Sequence, residues 1–218
     1  MDLEEVWRLR EEKVYPTLFG PAGRGIFPLT QELFSGRFDQ RDVDPRWLFL
    51  GVFEFPPTPD RSSWLYVTSG HSNPWHEEPE AYEPTGESGS GIEFTFTVSE
   101  QGDWAIEILQ SMLAFDLLLR ADRFPNGQPL SVHDRIPLRQ PINGRPDCEI
   151  RNVIMVEPEH IPPEFFLPSG RVLFAGFTGV TDPELTFAKA NGSEALISRL
   201  REVGHHPITN PHRPSLIR

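Results

Sequence analysis

The sequence contains a single cysteine, Cys148, in 218 residues. One thiol can form neither an internal disulfide nor a multi-thiolate metal site. Long hydrophobic runs are also missing, because Glu107, Gln110 and Asp116 interrupt the most apolar stretch, residues 106–119. That stretch is therefore no membrane span, and the acidic N-terminus lacks the basic and then apolar pattern of a signal peptide. We expect a cytoplasmic protein that makes no contact with membranes.

Basic residues are scarce relative to acidic ones, with 20 Lys and Arg against 32 Asp and Glu and a net charge of −12. Non-specific nucleic-acid binding depends on cationic side chains that neutralise phosphates, so we expect no nucleic-acid partner. A strongly acidic surface favours fast encounter with basic proteins. Solubility alone also accounts for this charge balance.

Proline, by contrast, is abundant, since the chain has 23 Pro and 17 Gly. This composition favours short elements joined by long, shaped loops, and it argues against a helical bundle or a coiled coil. No internal repeat or clean boundary divides the chain. We therefore expect one domain over residues 1–218, in which residues 205–218 form a Pro-rich tail with exposed histidines.

Hydrophobic periodicity and capping signals predict both helices and strands. The predicted strands are residues 47–55, 63–69, 91–98, 149–156 and 171–178, and the predicted helices are residues 2–14, 103–121, 181–191 and 193–203. A capping box of Asp2 and Glu5 begins the first helix, and Tyr15–Pro16 is expected to end it. The helix over 103–121 has the broad apolar face of a helix buried against a sheet. The pattern predicts an α+β fold with a mixed, mostly antiparallel sheet, packed by helices and joined by long Pro/Gly-rich loops.

A long polar loop separates the second and third predicted strands. It contains His71, Trp75 and His76, followed by Glu77, Glu78, Glu80 and Glu83. Zinc accepts histidine and carboxylate ligands, but the spacing differs from the helical His-Glu-x-x-His pattern. We interpret the segment as a solvated acidic loop. A metal-dependent hydrolase that uses His71, His76 and the loop carboxylates is the alternative.

The Gly- and Ser-rich segment 86–91 matches neither a phosphate loop nor a nucleophile elbow. No Lys-Ser or Lys-Thr pair follows its glycines, and Ser90 stands where the elbow needs a glycine. We therefore interpret the segment as a turn that leads into a strand. No other motif indicates a catalytic group, so we expect no enzymatic activity and no cofactor.

Several motifs, taken in order, resemble the Suppressor-of-fused family. They are Trp-Leu-Tyr-Val-Thr-Ser-Gly at 64–70, Gly-Ser-Gly-Ile-Glu-Phe-Thr-Phe at 89–96, Trp-Ala-Ile-Glu-Ile-Leu-Gln at 104–110, Gly-Val-Thr-Asp-Pro-Glu-Leu at 179–185, residues 192–200, and His-Pro-Ile-Thr at 206–209. The likeness extends over about residues 15–213. It implies a non-catalytic protein-binding fold. Animal members sequester zinc-finger transcription factors of Hedgehog signalling, and bacterial members often resemble immunity proteins that neutralise toxins of polymorphic toxin systems.

The resemblance also implies a binding mode, in which a partner peptide docks as an added strand beside a tyrosine and an acidic loop. Tyr66 matches that tyrosine, and Glu77 or Glu78 matches the acid. Core packing is the alternative role for Tyr66. Animal members have a second domain that clamps the peptide, and we expect none within these 218 residues, as in a short bacterial member.

The sequence therefore predicts a cytoplasmic immunity protein that occludes a basic toxin domain. The expected partner-binding residues are Tyr66, Trp75, Glu77, Glu78, Glu80 and Glu83. The further alternative is a self-associating scaffold, a homodimer in which an exposed aromatic strand pairs with its own copy.

Overall fold

The computed structural model describes residues 2–75 and 77–217 as one α+β domain. Its strands are β1 (Phe27–Pro28), β2 (Gly51–Phe55), β3 (Trp64–Ser69), β4 (Glu87–Val98), β5 (Arg135–Pro137), β6 (Ile150–Val156), β7 (Glu164–Leu167) and β8 (Gly170–Thr181). Its α-helices are α1 (Leu3–Leu9), α2 (Tyr15–Phe19), α3 (Gln31–Phe38), α4 (Asp103–Arg120), α5 (Asp182–Asn191) and α6 (Ser193–Glu202). No helix among the described residues is long and apolar enough to cross a membrane.

The strands form one mixed sheet in the order β1-β2-β3-β4-β8-β6-β5, and β7 pairs with β8 outside this path. The central strands β4 and β8 run parallel, and the other strand pairs in the described chain run antiparallel. The fold class predicted from sequence is confirmed. A parallel pair needs a long crossover connection, and the chain between β4 and β8 includes α4.

Strand alternation divides the core between the two faces of the sheet. On one face, Phe94 of β4 clusters with Leu109 of α4. On the other face, Leu65 of β3 clusters with Tyr15 and Phe19 of α2. Burial of each such side chain contributes about 1.5–3 kcal/mol, so the amphipathic pattern of α4 and the alternation of the strands together specify which face each element covers.

The N-terminal helical segment is longer than the sequence predicted. The capping box of Asp2 and Glu5 is present, but α1 continues through a π-helical turn, Arg10–Val14, into α2. Pro16 does not end the helix but stands at the start of α2, directly after the π-helical turn, where Tyr15 and Phe19 are buried against the sheet. The π-helical turn begins at Arg10, whose side chain is fully buried.

Two strand boundaries differ from the prediction. Residues 47–49 belong to a 3₁₀-helix, Pro45–Phe49, rather than to a strand, because the side chain of Asp44 caps this turn by accepting from the backbone of Arg46. β4 begins at Glu87, so most of the segment predicted as a turn lies in a strand. Its pairing with β8 shifts register between Glu87 and Ile92.

The predicted exposed tail is wrong, because much of it packs on the domain. His206, Thr209 and Arg213 are buried. The hydroxyl of Thr209 accepts from the backbone N–H of Gly179 in β8 at 2.9 Å. Buried hydrogen bonds of this kind fix the segment in place without periodic apolar residues, and the sequence pattern gave no signal for them.

Candidate functional site

The acidic loop, residues 71–86, lies in the sequence between β3 and β4. Trp75 packs against the cluster on the α4 side of the sheet. Tyr82 packs against the cluster on the opposite side. The loop is therefore anchored on both faces, and Glu77, Glu78 and Glu80, which lie between these two anchors, are exposed.

The four predicted loop glutamates, Glu77, Glu78, Glu80 and Glu83, are all exposed. They lie in a stretch with ten acidic residues and no Lys or Arg, residues 62–119. Burial raises the pKa of Tyr82, and the charges of Glu77, Asp2 and Glu78 raise it further. Asp2, at the start of α1, therefore lies close enough to extend the negative field. We call Asp2 and the four glutamates the acidic surface.

A buried charge network holds the start of the loop. Arg10 donates to the Ser72 hydroxyl at 3.0 Å and to Asn73 Oδ1 at 2.7 Å. Glu93 of β4 accepts from the backbone N–H groups of Gly70 and Ser72 at 3.0 and 2.9 Å. The Arg10 and Glu93 side chains are completely buried and lie 3.9 Å apart. With the bond from Arg10 Nε to the Ser69 hydroxyl at 2.9 Å, these contacts join the π-helical turn to β3, to the start of the loop and to β4, and so the acidic surface has a rigid base.

His71 is not a solvated loop residue, as the sequence suggested, but is 2% exposed. Its Nε2 lies 2.7 Å from Asp116 Oδ2, and Arg120 Nε donates to the same oxygen at 2.6 Å. Burial raises the pKa of Asp116, but the hydrogen bonds and the electrostatic attraction of His71 and Arg120 outweigh it and hold that pKa below its usual value. His71 therefore belongs to an interior polar cluster with α4.

In the metal-site alternative His71 would act with the loop carboxylates, but its Nε2 is engaged by Asp116 of α4. His76, its proposed companion ligand, lies outside the described residues. Among residues 2–75 and 77–217, no three His, Cys, Asp or Glu side chains are grouped so that they could hold a metal ion.

Tyr66 is fully buried on the α4 side of β3. Its hydroxyl donates to Glu54 Oε2 at 3.1 Å and accepts from the N–H of Gly102 at 3.1 Å. Burial is the main cause that raises the pKa of Tyr66 to about 12. At about 3.3 Å per residue, Tyr66 lies roughly 13 Å along the strand from Gly70, which directly precedes the acidic loop. The structure thus places Trp75 and Glu77 in the lining of one cleft and Glu77 and Glu78 near Tyr82, whereas Tyr66 lies inside the core.

β3 offers no free edge for strand addition, because it is paired with β2 on one side and with β4 on the other. The ends of the strand order are β1 and β5. Next to β5 is a groove of about 630 Å³, lined on its apolar side by residues that include Met112 and Phe115 of α4. Unpaired strand edges bind extended peptides through main-chain hydrogen bonds.

Sequence reasoning missed this groove. Its lining includes Arg37, Arg135 and Arg139 and, in the described chain, no carboxylate. The three arginines are exposed. Arg37 belongs to α3, Arg135 belongs to β5, and Arg139 lies just after β5. Residues far apart in sequence therefore form this groove. The Arg-Ile-Pro-Leu-Arg run at 135–139 was the available signal, but it is too short to read as a strand without its partner β6.

Comparison with protein families identifies the fold family. The Suppressor of fused protein (SUFU) family model matches residues 47–214. The chain belongs to the Suppressor of fused family. The resemblance inferred from the motifs is confirmed. The region matched in this Suppressor of fused member includes β2 to β8, α4, the acidic loop and most of the C-terminal segment. Comparison with curated protein sequences gives no match.

Solved structures share this fold. The Sufu–Fu complex matches with a TM-score of 0.64 and 20% identity over 97% of this chain and 90% of that chain. A putative Suppressor of fused homolog from Neisseria gonorrhoeae matches with a TM-score of 0.63 and 17% identity over 97% of both chains. Drosophila Suppressor of Fused matches with a TM-score of 0.56 and 22% identity over 76% of this chain and 42% of that chain. At these identities the likeness establishes the fold alone.

Proposed function

We propose that the chain is a non-catalytic protein-binding domain that acts in the cytoplasm as an immunity protein. Its partner is a basic toxin domain, which it neutralises by covering the toxin's functional surface. The observation that carries the proposal is the acidic surface, in which all four loop glutamates are exposed on a rigid base. The structural likeness to the Sufu–Fu complex supports protein binding, because a relative with this fold is found with a protein partner.

The charge distribution supports a basic partner. Residues 62–119 contain ten acidic side chains and no Lys or Arg. No cation close in sequence therefore cancels the negative charge of the loop. Complementary fields raise association rates and discriminate against wrong partners more than they raise affinity. A toxin that acts on a nucleic acid binds it through cationic side chains that neutralise phosphates, and an acidic inhibitor is steered to the same surface.

The predicted binding residues take different roles in this proposal. Glu77, Glu78, Glu80 and Glu83 form the charged rim, and half-buried Trp75 supplies an aromatic anchor of the kind that dominates binding energy. Tyr66 supports the interface from within, because its hydroxyl joins β3 to Glu54 and to the start of α4. Inhibition then needs only occlusion, and no bond is broken.

The groove beside β5 offers a second docking mode for the same function. An extended acidic segment could add to β5, with its carboxylates near Arg37 and Arg139. The two modes require partners of opposite charge, so the charge of the docking segment distinguishes them. Self-association is the third outcome, and the molar mass of the purified protein in solution tests it.

The decisive experiment has two stages. A tagged pull-down from native cells at low and high salt identifies the partner, and stopped-flow association then measures its rate constant at several ionic strengths. Reversal of the four loop glutamates to Lys changes the net charge from −12 to −4. We expect this variant to associate about tenfold or more slowly, with a flatter salt dependence, and to lose protection against the partner's toxicity.

The matched control reverses four exposed acids elsewhere, Glu32, Asp147, Glu157 and Glu202, with the same change in net charge. We expect it to associate at a rate within about twofold to threefold of the original protein. If both variants behave alike, the acidic surface is not the interface. If the Arg37→Glu, Arg139→Glu variant alone loses binding, the partner docks at β5 instead. A partner that is not toxic alone, or whose activity is unchanged by binding, contradicts the immunity role.

A further inference from the structure

One edge of β7 is not paired with any other strand of the described chain. β7 pairs with β8 and lies outside the main strand order. The other open edges belong to β1 and β5, and each of these strands contains a proline, Pro28 or Pro137, which has no N–H to donate. β7 contains no proline. It therefore offers the fuller set of backbone donors at an open edge.

The hydrogen-bond pattern shows which backbone groups of β7 face this edge. The N–H of Phe174 in β8 donates to the carbonyl oxygen of Pro163 at 2.8 Å, so this oxygen points toward β8. In an antiparallel pair the backbone groups of successive residues point alternately toward the partner strand and away from it. The N–H and C=O groups of Glu164 and Phe166 therefore point away from β8. Among the described residues, no backbone group outside the sheet pairs with them.

The side chains at this edge leave an apolar patch exposed. Phe166 is 58% exposed, the largest value among the exposed large hydrophobic side chains of the described residues, and Leu173 of β8 is 37% exposed. Phe165 and Leu167, in contrast, are buried in the cluster that contains α2. Soluble proteins usually protect an open strand edge with charge or proline. An exposed aromatic side chain at such an edge therefore indicates a contact surface.

The charges around the patch have both signs. Phe166 lies opposite Arg171 and Leu173 lies opposite Glu164, so these four side chains share one face of the sheet. Arg171 Nη1 lies 3.9 Å from Glu164 Oε2, and Arg171 Nη2 lies 3.7 Å from Glu87 Oε1. A patch that contains a cation and carboxylates can complement its own two-fold image, whereas the uniformly negative acidic loop cannot.

We infer that two copies of this chain pair through β7 and form a weak, symmetric dimer. The two strands run antiparallel with the two-fold axis at Phe165, which places Glu164 of each copy opposite Phe166 of the other. Because both residues direct their backbone groups outward, each such pair exchanges N–H to C=O hydrogen bonds in both directions. On the exposed face, Phe166 then lies between Arg171 of its own copy and Glu164 of the second copy, and the two Phe166 rings lie diagonally within reach of each other.

The expected dimer is weak because the contact is small. It is built on strands of 4 residues, whereas a stable interface buries roughly 1,000 Å² or more, so we expect the dimer to be populated at about 100 µM protein. The inference goes beyond the proposed function, which concerns a different protein partner.

Salt dependence distinguishes this dimer from the complex with a basic partner. Each copy has a net charge of −12, so the copies repel one another and added salt screens the repulsion. We expect sedimentation equilibrium of the intact protein to give a dissociation constant that falls about threefold or more between about 50 and 500 mM NaCl. Association with a basic partner should weaken over the same range.

The matched variants are Phe166→Lys and Phe49→Lys. Phe49 is 57% exposed, but it belongs to the 3₁₀-helix and not to an open strand edge. Both substitutions change the net charge equally. We expect Phe166→Lys to raise the dissociation constant of the dimer about tenfold or more, because an edge lysine blocks strand pairing. Phe49→Lys should change it by less than about twofold.

Hydrogen exchange tests the pairing in the unaltered protein at high salt. The N–H groups of Glu164 and Phe166 should exchange about twofold to threefold more slowly at about 500 µM protein than at about 10 µM. Those of Phe165 and Leu167, which face β8, should change little.

Three results would overturn the inference. They are a monomer up to about 500 µM protein at high salt, a dimer that the two variants affect equally, and a dimer that protects β5 instead of β7. Each of these results leaves the proposed function standing, because that proposal depends on the four loop glutamates and is tested by their reversal.

Discussion

Glu184 and Arg213 form a buried bidentate ion pair that ties the C-terminal segment to the first turn of α5. Arg213 Nη1 lies 2.6 Å from Glu184 Oε1, and Nη2 lies 2.7 Å from Oε2. Both side chains are at most 1% exposed. The same carboxylate accepts from the backbone N–H groups of Thr181 and Leu216. A residue 29 positions away thus completes the cap of α5.

Replacement of Glu184 by Gln should destabilise the protein strongly. The substitution leaves the Arg213 guanidinium buried without a counter-charge, a situation that costs about 3–5 kcal/mol. The measurement is urea unfolding at pH 7. Glu194→Gln is the matched control on α6, where the side chain is 63% exposed, and it should change the free energy of unfolding by less than about 0.5 kcal/mol. A loss below about 1 kcal/mol for Glu184→Gln would show that the pair does not hold the segment.

The stability of the protein should fall in acid. Burial raises the pKa of Glu184, but Arg213 and the backbone N–H groups outweigh it, so the pKa lies below the ordinary 4.5. The pKa of Asp116 likewise lies below the ordinary 3.8, for the reasons given above. The unfolded chain therefore binds protons first as the pH falls. The stabilisation that these two carboxylates provide is complete above their ordinary pKa values and is lost progressively from about pH 5 downwards.

Urea unfolding at pH 7, 5, 4 and 3 measures this dependence. Glu184→Gln should have the shallower slope between pH 5 and 3, because one of the carboxylates with a lowered pKa has been removed. Equal slopes for the two proteins would assign the acid sensitivity to other groups.

Arg10 should control the order of the loop base rather than its charge. Arg10→Met removes the donors to Ser72 and Asn73 and leaves Glu93 buried without its cation, which costs about 3–5 kcal/mol. Hydrogen exchange at the backbone N–H groups of Gly70 and Ser72, which Glu93 binds, should accelerate.

Arg8→Met is the control for this change, since Arg8 is exposed on the same helix. Exchange at the loop base should be unaffected by it. Accelerated exchange in both variants, or in neither, would contradict a specific role for Arg10. Addition of Glu93→Gln to Arg10→Met should restore part of the lost stability, because it removes the unpaired charge.

Elements with strong local signals could be predicted from the sequence. The helix Asp103–Arg120 has a broad apolar face, and the capping box of Asp2 and Glu5 begins its helix as expected. These signals act between residues a few positions apart, so they do not depend on the rest of the chain. The exposure of the loop glutamates could be predicted for the same reason, because a run of carboxylates without cations is costly to bury.

Features that depend on distant residues could not be predicted. The helix passes Pro16 because α2 packs Tyr15 and Phe19 against the sheet. The C-terminal segment is buried because Glu184 pairs with Arg213, and β5 forms only because β6 offers it an edge. In each case a long-range contact supplies free energy that local propensity lacks.

The sequence by itself determined the family, the fold class and the negative charge of the loop between β3 and β4. Tertiary structure decided where the chemistry lies: it buried Tyr66 and His71, and it placed Trp47 and Trp75 in the lining of one cleft. The physical reason is that charge and periodicity are properties of the chain, whereas burial, open sheet edges and unpaired polar atoms arise only when segments far apart in sequence come into contact.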